Sequence, residues 1–165
     1  LDPEMADNVR KILKKIQNEK QAIVKEVKRT QREQAPPHPF DLTTLQTESY
    51  NVFKITPKET LAIAQTLYLA GVTSYPRTSS QQLDPKIGLA KIIKDLQKQP
   101  MYEKLCESLL HLKELKPNNG KKTDPAHPAI YPTGLPPENL KPKEQKVYDL
   151  IVKRFLATFA KAAIR

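Results

Sequence analysis

The sequence predicts a mainly helical fold, α+β with the helices dominant, on three observations. Apolar residues recur at helical spacing after strong helix-start signals. Core material is lean, 38% hydrophobic and 6% aromatic with no Trp. Helices covered by long charged side chains suit that supply better than a large sandwich of sheets. Strand-like alternation occurs in one short stretch, Gln21–Arg29.

Taken in order, Asp2-Pro3-Glu4 opens a first helix, with Asp as N-cap and Pro in the first turn. Met5, Val9, Ile12, Leu13 and Ile16 fall on one of its faces. Gln21–Arg29 then sets Ile23 and Val27 against Lys25 and Arg29, which predicts a strand with one wet face. Pro36, Pro37 and Pro39 disfavour helix and favour an extended linker. The domain boundary is placed there, giving 1–36 and 37–165. Thr56-Pro57-Lys58-Glu59 reads as a capping box, opening a helix with Leu61, Ala64, Leu67 and Tyr68 inward and Gly71 as its left-handed end. Asp84-Pro85 starts another, burying Ile87, Ala90, Ile93 and Leu96. Met101, Leu105, Leu109 and Leu112 mark a third, and Val147, Leu150, Ile151, Phe155 and Phe159 a last one from about Pro142. The 165 residues suffice for one domain with an appendage, and Leu1 and Arg165 read as cuts in a longer protein.

Formal net charge is +10, spread along the chain, so a folded body would present a surface that favours polyanions. The lone Cys106 lies in an apolar run, where a packed thiol is expected; one cysteine makes neither an internal disulfide nor a cysteine-based zinc site. With a single cysteine a cytoplasmic address is expected; separately, no stretch approaches the length of a membrane span and no signal peptide opens the chain.

Chemistry is sought in two long connections, Val72–Leu83 and Pro117–Pro137, because long loops in compact domains are often functional. The first gathers hydroxyls around one tyrosine and one arginine, Gly71-Val-Thr-Ser-Tyr75-Pro-Arg77-Thr-Ser-Ser80. Tyrosine can act as a covalent nucleophile, and a guanidinium two residues on can bind a phosphate and stabilise its growing charge. Pro76 restricts Tyr75 to an extended backbone. The bland alternative is a turn with an exposed ring. The second loop sets His127 in a proline-rich frame, where it can contact phosphate or move protons; its alternative is a surface histidine. His38 in the linker and His111 at a helix end have weaker cases.

Three segments in order resemble type IA DNA topoisomerases, most closely the archaeal branch. Pro39-Phe40-Asp41-Leu42-Thr43-Thr44-Leu45-Gln46 resembles that family's entry to its tyrosine domain. Gly71–Thr78 resembles the active-site motif, and His127-Pro-Ala129-Ile130-Tyr-Pro132-Thr133 resembles a third family motif. Leu42 and Ser79 depart from the pattern, at positions commonly Thr and Asp. The resemblance implies that residues 1–36 are a strand-containing piece of the arch domain and 37–165 a helical tyrosine domain. It implies Tyr75 as the nucleophile on single-stranded or negatively supercoiled DNA, leaving a 5′-phosphotyrosine. Arg77 would contact the scissile phosphate, and His127, Thr78, Ser80, Thr133 and Gln46 would contact DNA. It implies a monomeric, nucleoid-associated parent enzyme using Mg²⁺ held by a separate acidic domain. No Asp-x-Asp occurs here, so no metal ligand is assigned and the segment alone is expected not to cleave DNA efficiently. ATP is not expected, since a phosphotyrosine conserves the bond energy and no Gly-rich phosphate loop is present.

Other classes remain beside this one. A non-enzymatic basic helical DNA-binding module fits the charge and helices equally well, but leaves Tyr75, Arg77 and the histidine loop without a role. A protein-interaction scaffold accounts for neither the charge nor the loops, and the spaced Arg and His of tyrosine recombinases are not found.

Overall fold

The computed structural model describes residues 3–165, in two compact units divided between Arg32 and Glu33. In the first, helix α1 (Pro3–Ile16) forms where the apolar periodicity placed it, and its Met5, Val9, Ile12, Leu13 and Ile16 are all exposed. The Asp2 cap lies outside the described residues. The strand expected over Gln21–Arg29 does not form. Ile23, Val24 and Val27 are 89%, 77% and 72% exposed, and among the described residues no strand pairs with this stretch. Alternation supplies a face, but a strand needs a ladder partner to satisfy its amides.

Strand structure appears instead in the second unit, as the short antiparallel pair β1 (Glu33–Gln34) and β2 (Ala163–Ile164), with Glu33 opposite Ile164. The rest of that unit is built on α2 (Leu42–Phe53), α3 (Pro57–Leu69), α4 (Leu89–Gln97), α5 (Glu103–Leu110) and α6 (Pro142–Ala157). Helix α3 packs on α2 and α6, α4 on α5, and α5 on α6. Leu45, Leu67, Ile93, Leu96, Val147, Ile151 and Phe155 form one continuous core. No described helix is long and apolar enough to cross a membrane.

Helix α2 has no long apolar stripe, burying only Leu45 and Ser49, and periodicity does not reveal it. Its start is chemical. The Asp41 carboxylate accepts the Thr44 amide at 2.7 Å while Thr44 Oγ1 accepts the Asp41 amide at 3.1 Å, a reciprocal cap. At α3 only half of the predicted box forms. Thr56 Oγ1 accepts the Glu59 amide at 3.3 Å, but the Glu59 carboxylate turns to Lys143 Nζ at 2.6 Å.

Three apolar stripes are rotated from their expected faces. On α3, Thr60, Ile63, Ala64 and Leu67 are buried, whereas Tyr68 is 39% exposed. The Asp84-Pro85 start yields a single 3₁₀ turn, Pro85–Ile87, and Gly88 at φ +83° restarts the chain as α4. That break turns Leu89 and Ile92 inward and Ala90 outward. On α5, Tyr102, Cys106 and Leu109 are buried while Met101 and Leu105 are exposed. The Tyr102 hydroxyl donates to Asp149 on α6 at 3.2 Å, which fixes the rotation. Cys106 is fully buried as expected, and burial pushes its thiol up to about 11.

Candidate functional site

Helix α3 ends in a doubly bonded left-handed cap. The Val72 amide donates to the Leu67 carbonyl at 3.1 Å and the Gly71 amide to Tyr68 at 2.9 Å, with Gly71 at φ +74°. The chain that emerges is the Tyr75 loop, and it pairs with the histidine loop over most of its length. Thr133 N donates to Val72 O (3.0 Å), Ser74 N to Tyr131 O (2.8 Å), Ala129 N to Gln82 O (2.9 Å) and Gln81 N to Lys122 O (2.9 Å). Ser74 Oγ adds a bond from the Tyr131 amide at 3.0 Å. The same double loop is tied to the start of α2, since Leu42 N donates to Thr78 O at 3.0 Å and Ile130 N to Phe40 O at 2.8 Å. Two stretches without regular secondary structure thereby answer part of each other's backbone hydrogen-bonding need.

Tyr75 sits on this platform, half-buried, beside the buried Pro76. Its ring lies 4.7 Å from the His127 ring, tilted by 49°, and 5.3 Å from the Tyr68 ring, nearly edge-on at 73°. Arg77 is exposed, and among the described residues its guanidinium has no ion pair. A partly sheltered phenol thus stands beside an imidazole, with an uncommitted guanidinium two residues on. An incoming phosphate could accept from that guanidinium without displacing an internal partner.

His127 owes its position to Asp124. The Asp124 carboxylate accepts the amides of Ala126 at 3.0 Å and His127 at 3.1 Å, and from the other loop the Ser79 amide at 3.2 Å and hydroxyl at 3.1 Å. The Ala126, Ser79 and His127 amides hold this carboxyl at about 2. Asp124 was not singled out by its sequence. The signal was its place three residues before His127, where an Asp side chain closes a turn on its own backbone. Ser79, where the family pattern commonly has Asp, thus supplies a donor to Asp124.

A second tie runs through Asp41. Its carboxylate is 2% exposed and meets Lys122 Nζ at 2.8 Å. Burial pushes this carboxyl up, and the bonds from Lys122 and Thr44 more than reverse the push. Leu42, the other departure, contributes its backbone amide to Thr78 O, a bond that any residue other than proline at 42 can supply.

Of the expected DNA contacts, His127 is at the tyrosine, and the others are engaged within the protein. Thr78 is buried, its hydroxyl donating to His127 O at 3.3 Å and accepting the Ser80 amide at 3.0 Å. Ser80 is also buried, its Oγ accepting the Gln82 amide at 3.1 Å. Thr133 Oγ1 donates to Gly71 O at 2.7 Å, fastening the histidine loop to the end of α3. Gln46 is not brought to the tyrosine loop: its amide nitrogen donates to Pro57 O at 3.0 Å, at the α2–α3 turn. His38 Nδ1 lies 2.8 Å from Asn118 O, and His111 closes α5. An open cleft of about 440 Å³ continues from His127 past Ser80, Gln82 and Lys86. Among the described residues no group of three or more His, Cys, Asp or Glu is placed to hold a metal ion. The Asp124 carboxylate that holds His127 is already filled by donors, so it does not fit a magnesium centre.

Comparison with known proteins places these features in a lineage. A family model described as DNA topoisomerase matches residues 3–165. The chain is 56% identical over 142 residues to DNA topoisomerase 1 of Pyrococcus horikoshii, covering 85% of this chain and 20% of that protein. It is 53% identical over 153 residues to DNA topoisomerase 1 of Methanothermobacter thermautotrophicus, covering 93% and 21%. Among solved structures it resembles full-length topoisomerase I from Thermotoga maritima, with TM-score 0.63, 27% identity, and coverage of 93% of this chain and 26% of that one. The chain thus spans about a fifth of the length of these curated relatives.

Proposed function

Because this chain belongs to the type IA DNA topoisomerases, we propose that it is the segment supplying the nucleophile to a longer enzyme of that type. Residues 1–36 then belong to the arch and residues 37–165 to the tyrosine domain. The observation that carries the reading is Tyr75 itself: a phenol flanked by His127, two residues from the exposed Arg77, on a loop fixed by backbone bonds.

In this reading Tyr75 Oη attacks the phosphorus of a single-stranded DNA phosphodiester and loses its proton. The P–O3′ bond breaks, the 3′ oxygen leaves as a hydroxyl, and the 5′ phosphate stays on Tyr75 as an ester. Arg77 donates to the non-bridging oxygens as their charge grows. His127 approaches the bound strand or exchanges protons with it. Reversal by the 3′ hydroxyl reseals the strand without ATP, because one phosphoester replaces another. Between the two steps a strand passes and DNA topology changes. Thr78, Ser80 and Thr133 serve this chemistry by holding the two loops in register. Magnesium, which enzymes of this type use, would be held by residues other than these, and the isolated segment is expected to nick DNA poorly. The parent enzyme acts as a monomer in the cytoplasm, associated with the nucleoid.

A complementation assay tests this. The segment and a Tyr75→Phe variant are each mixed with the separately produced metal-binding domain, Mg²⁺ and an end-labelled single-stranded oligonucleotide. The reaction is stopped with denaturant and the protein examined for attached label. The expected result is attachment to the 5′ phosphate with wild-type protein and none with Tyr75→Phe. Salt-sensitive binding with no adduct, from well-folded protein, would favour the non-enzymatic DNA-binding module, which the +10 charge also fits.

A further inference from the structure

Tyr68 is large, aromatic and 39% exposed, so burial alone does not account for it. Its backbone is part of α3, and its carbonyl accepts the Gly71 amide in the cap that ends the helix. The helix, not the loop, therefore sets where its Cα stands. That ring meets the Tyr75 ring nearly edge-on at 5.3 Å, from a different side chain than His127 at 4.7 Å. Tyr75 is thus bounded by one ring carried on a helix and another fastened through Asp124.

The backbone bonds of the loop fix the Cα of Tyr75 but not its side-chain torsions. A tyrosine has three staggered choices at χ1, and a half-buried ring keeps one of them only if neighbours close off the others. An edge-to-face partner supplies such a wall and favours one tilt. An attacking oxygen must also be held in a narrow range of positions to be efficient.

We propose that Tyr68 is a positioning residue for Tyr75, its ring setting the rotamer from which the Tyr75 hydroxyl attacks. The contact is made by the ring, so phenylalanine serves and an aliphatic side chain does not. This inference rests on the reading of Tyr75 as the nucleophile.

The test uses the complete topoisomerase polypeptide that carries this segment, with Tyr68→Phe, Tyr68→Leu and Tyr75→Phe compared to wild type. Three quantities are read: the single-turnover rate of covalent adduct formation at saturating oligonucleotide, the Kd for that oligonucleotide, and the thermal midpoint. Tyr68→Phe should stay within about 2-fold of the wild-type rate, and Tyr68→Leu should be slower by about 3–10-fold, with Kd and midpoint unchanged. A wild-type rate in Tyr68→Leu overturns the proposal, as does a loss that lies wholly in Kd. Equal slowing in both Tyr68 variants overturns it too, whether or not the midpoint falls, because then the ring is not what matters. An adduct that persists in Tyr75→Phe sinks the reading of Tyr75 instead, and the control separates the two failures.

Discussion

Residues 20–32 and residues 72–83 both lack regular helix or strand, yet they are opposite kinds of chain. Every residue from 20 to 32 is exposed, and an exposed Lys28–Glu26 pair at 3.6 Å is its side-chain tie. In the Tyr75 loop, by contrast, backbone groups bond to the histidine loop and to α2, and Val72, Thr73, Pro76, Thr78, Ser80 and Leu83 are buried. Apolar content does not separate them, since Ile23, Val24 and Val27 are as hydrophobic as anything in the loop. What separates them is a partner. A segment without repeating structure is fixed only where another segment answers its amides and covers its side chains.

The sharpest way to break the contrast is to cut a side chain from each. Leu83→Ala, in a residue 1% exposed, should cost about 2–5 kcal/mol, whereas Val27→Ala should change stability by no more than about 0.5 kcal/mol, both read by denaturant unfolding. Equal effects would mean that the loop is no better packed than the N-terminal segment. Brief trypsin digestion compares the backbones directly. Cleavage after Lys25, Lys28 or Arg29 should outrun cleavage after Arg77 by roughly two orders of magnitude, although the Arg77 side chain is also exposed. Comparable rates would show that the pairing of the loops opens readily.

Gly134→Ala probes the far end of the histidine loop. Gly134 has φ +95°, and an added Cβ would stand 2.9 Å from Asp95 Cβ, so a loss of about 1–3 kcal/mol is expected in thermal unfolding. An unchanged midpoint would show that α4 and the loop shift apart freely. The smallest effect concerns Asp124. Its carboxyl is depressed from 3.8 to about 2, so its clasp is complete above the ordinary value and is lost as pH falls towards about 2. Carboxyl titration by NMR should find that midpoint, with Ser79 and His127 amide shifts following it. A midpoint near 3.8 would mean that the clasp does not hold His127.

The same contrast marks what could be read from sequence. Helices α1, α3 and α6 were legible because caps and periodicity are local, and Tyr75, Arg77 and His127 stood out as reactive types in loops that the structure brings together. The strand at Gln21–Arg29 was misread because alternation shows a face and cannot show whether anything pairs with it. Tyr68 looked like core because it falls on an apolar stripe, yet the helix turns it toward Tyr75. Thr78, Ser80 and Thr133, expected at DNA from the resemblance, bond inward within the protein, and an inward-bonding hydroxyl and one facing solvent have the same sequence. Asp124 and Asp41 escaped because, beside their local bonds, the partners that tie them to other loops, Ser79 and Lys122, are distant in the chain.

The stitching of the Tyr75 loop has a mechanical consequence. Ser74, on one side of the tyrosine, is bonded to Tyr131, and Thr78, on the other, to Leu42. A strand end tethered to the Tyr75 oxygen would pull on the chain between those two anchors, and the tension would divide into both loops and the start of α2 at once. Bonds that share a load resist better than bonds broken one at a time. On the proposed reading of Tyr75, such a tether would load the double loop and its helices as one piece, leaving the held end little slack to drift from the 3′ hydroxyl it must rejoin.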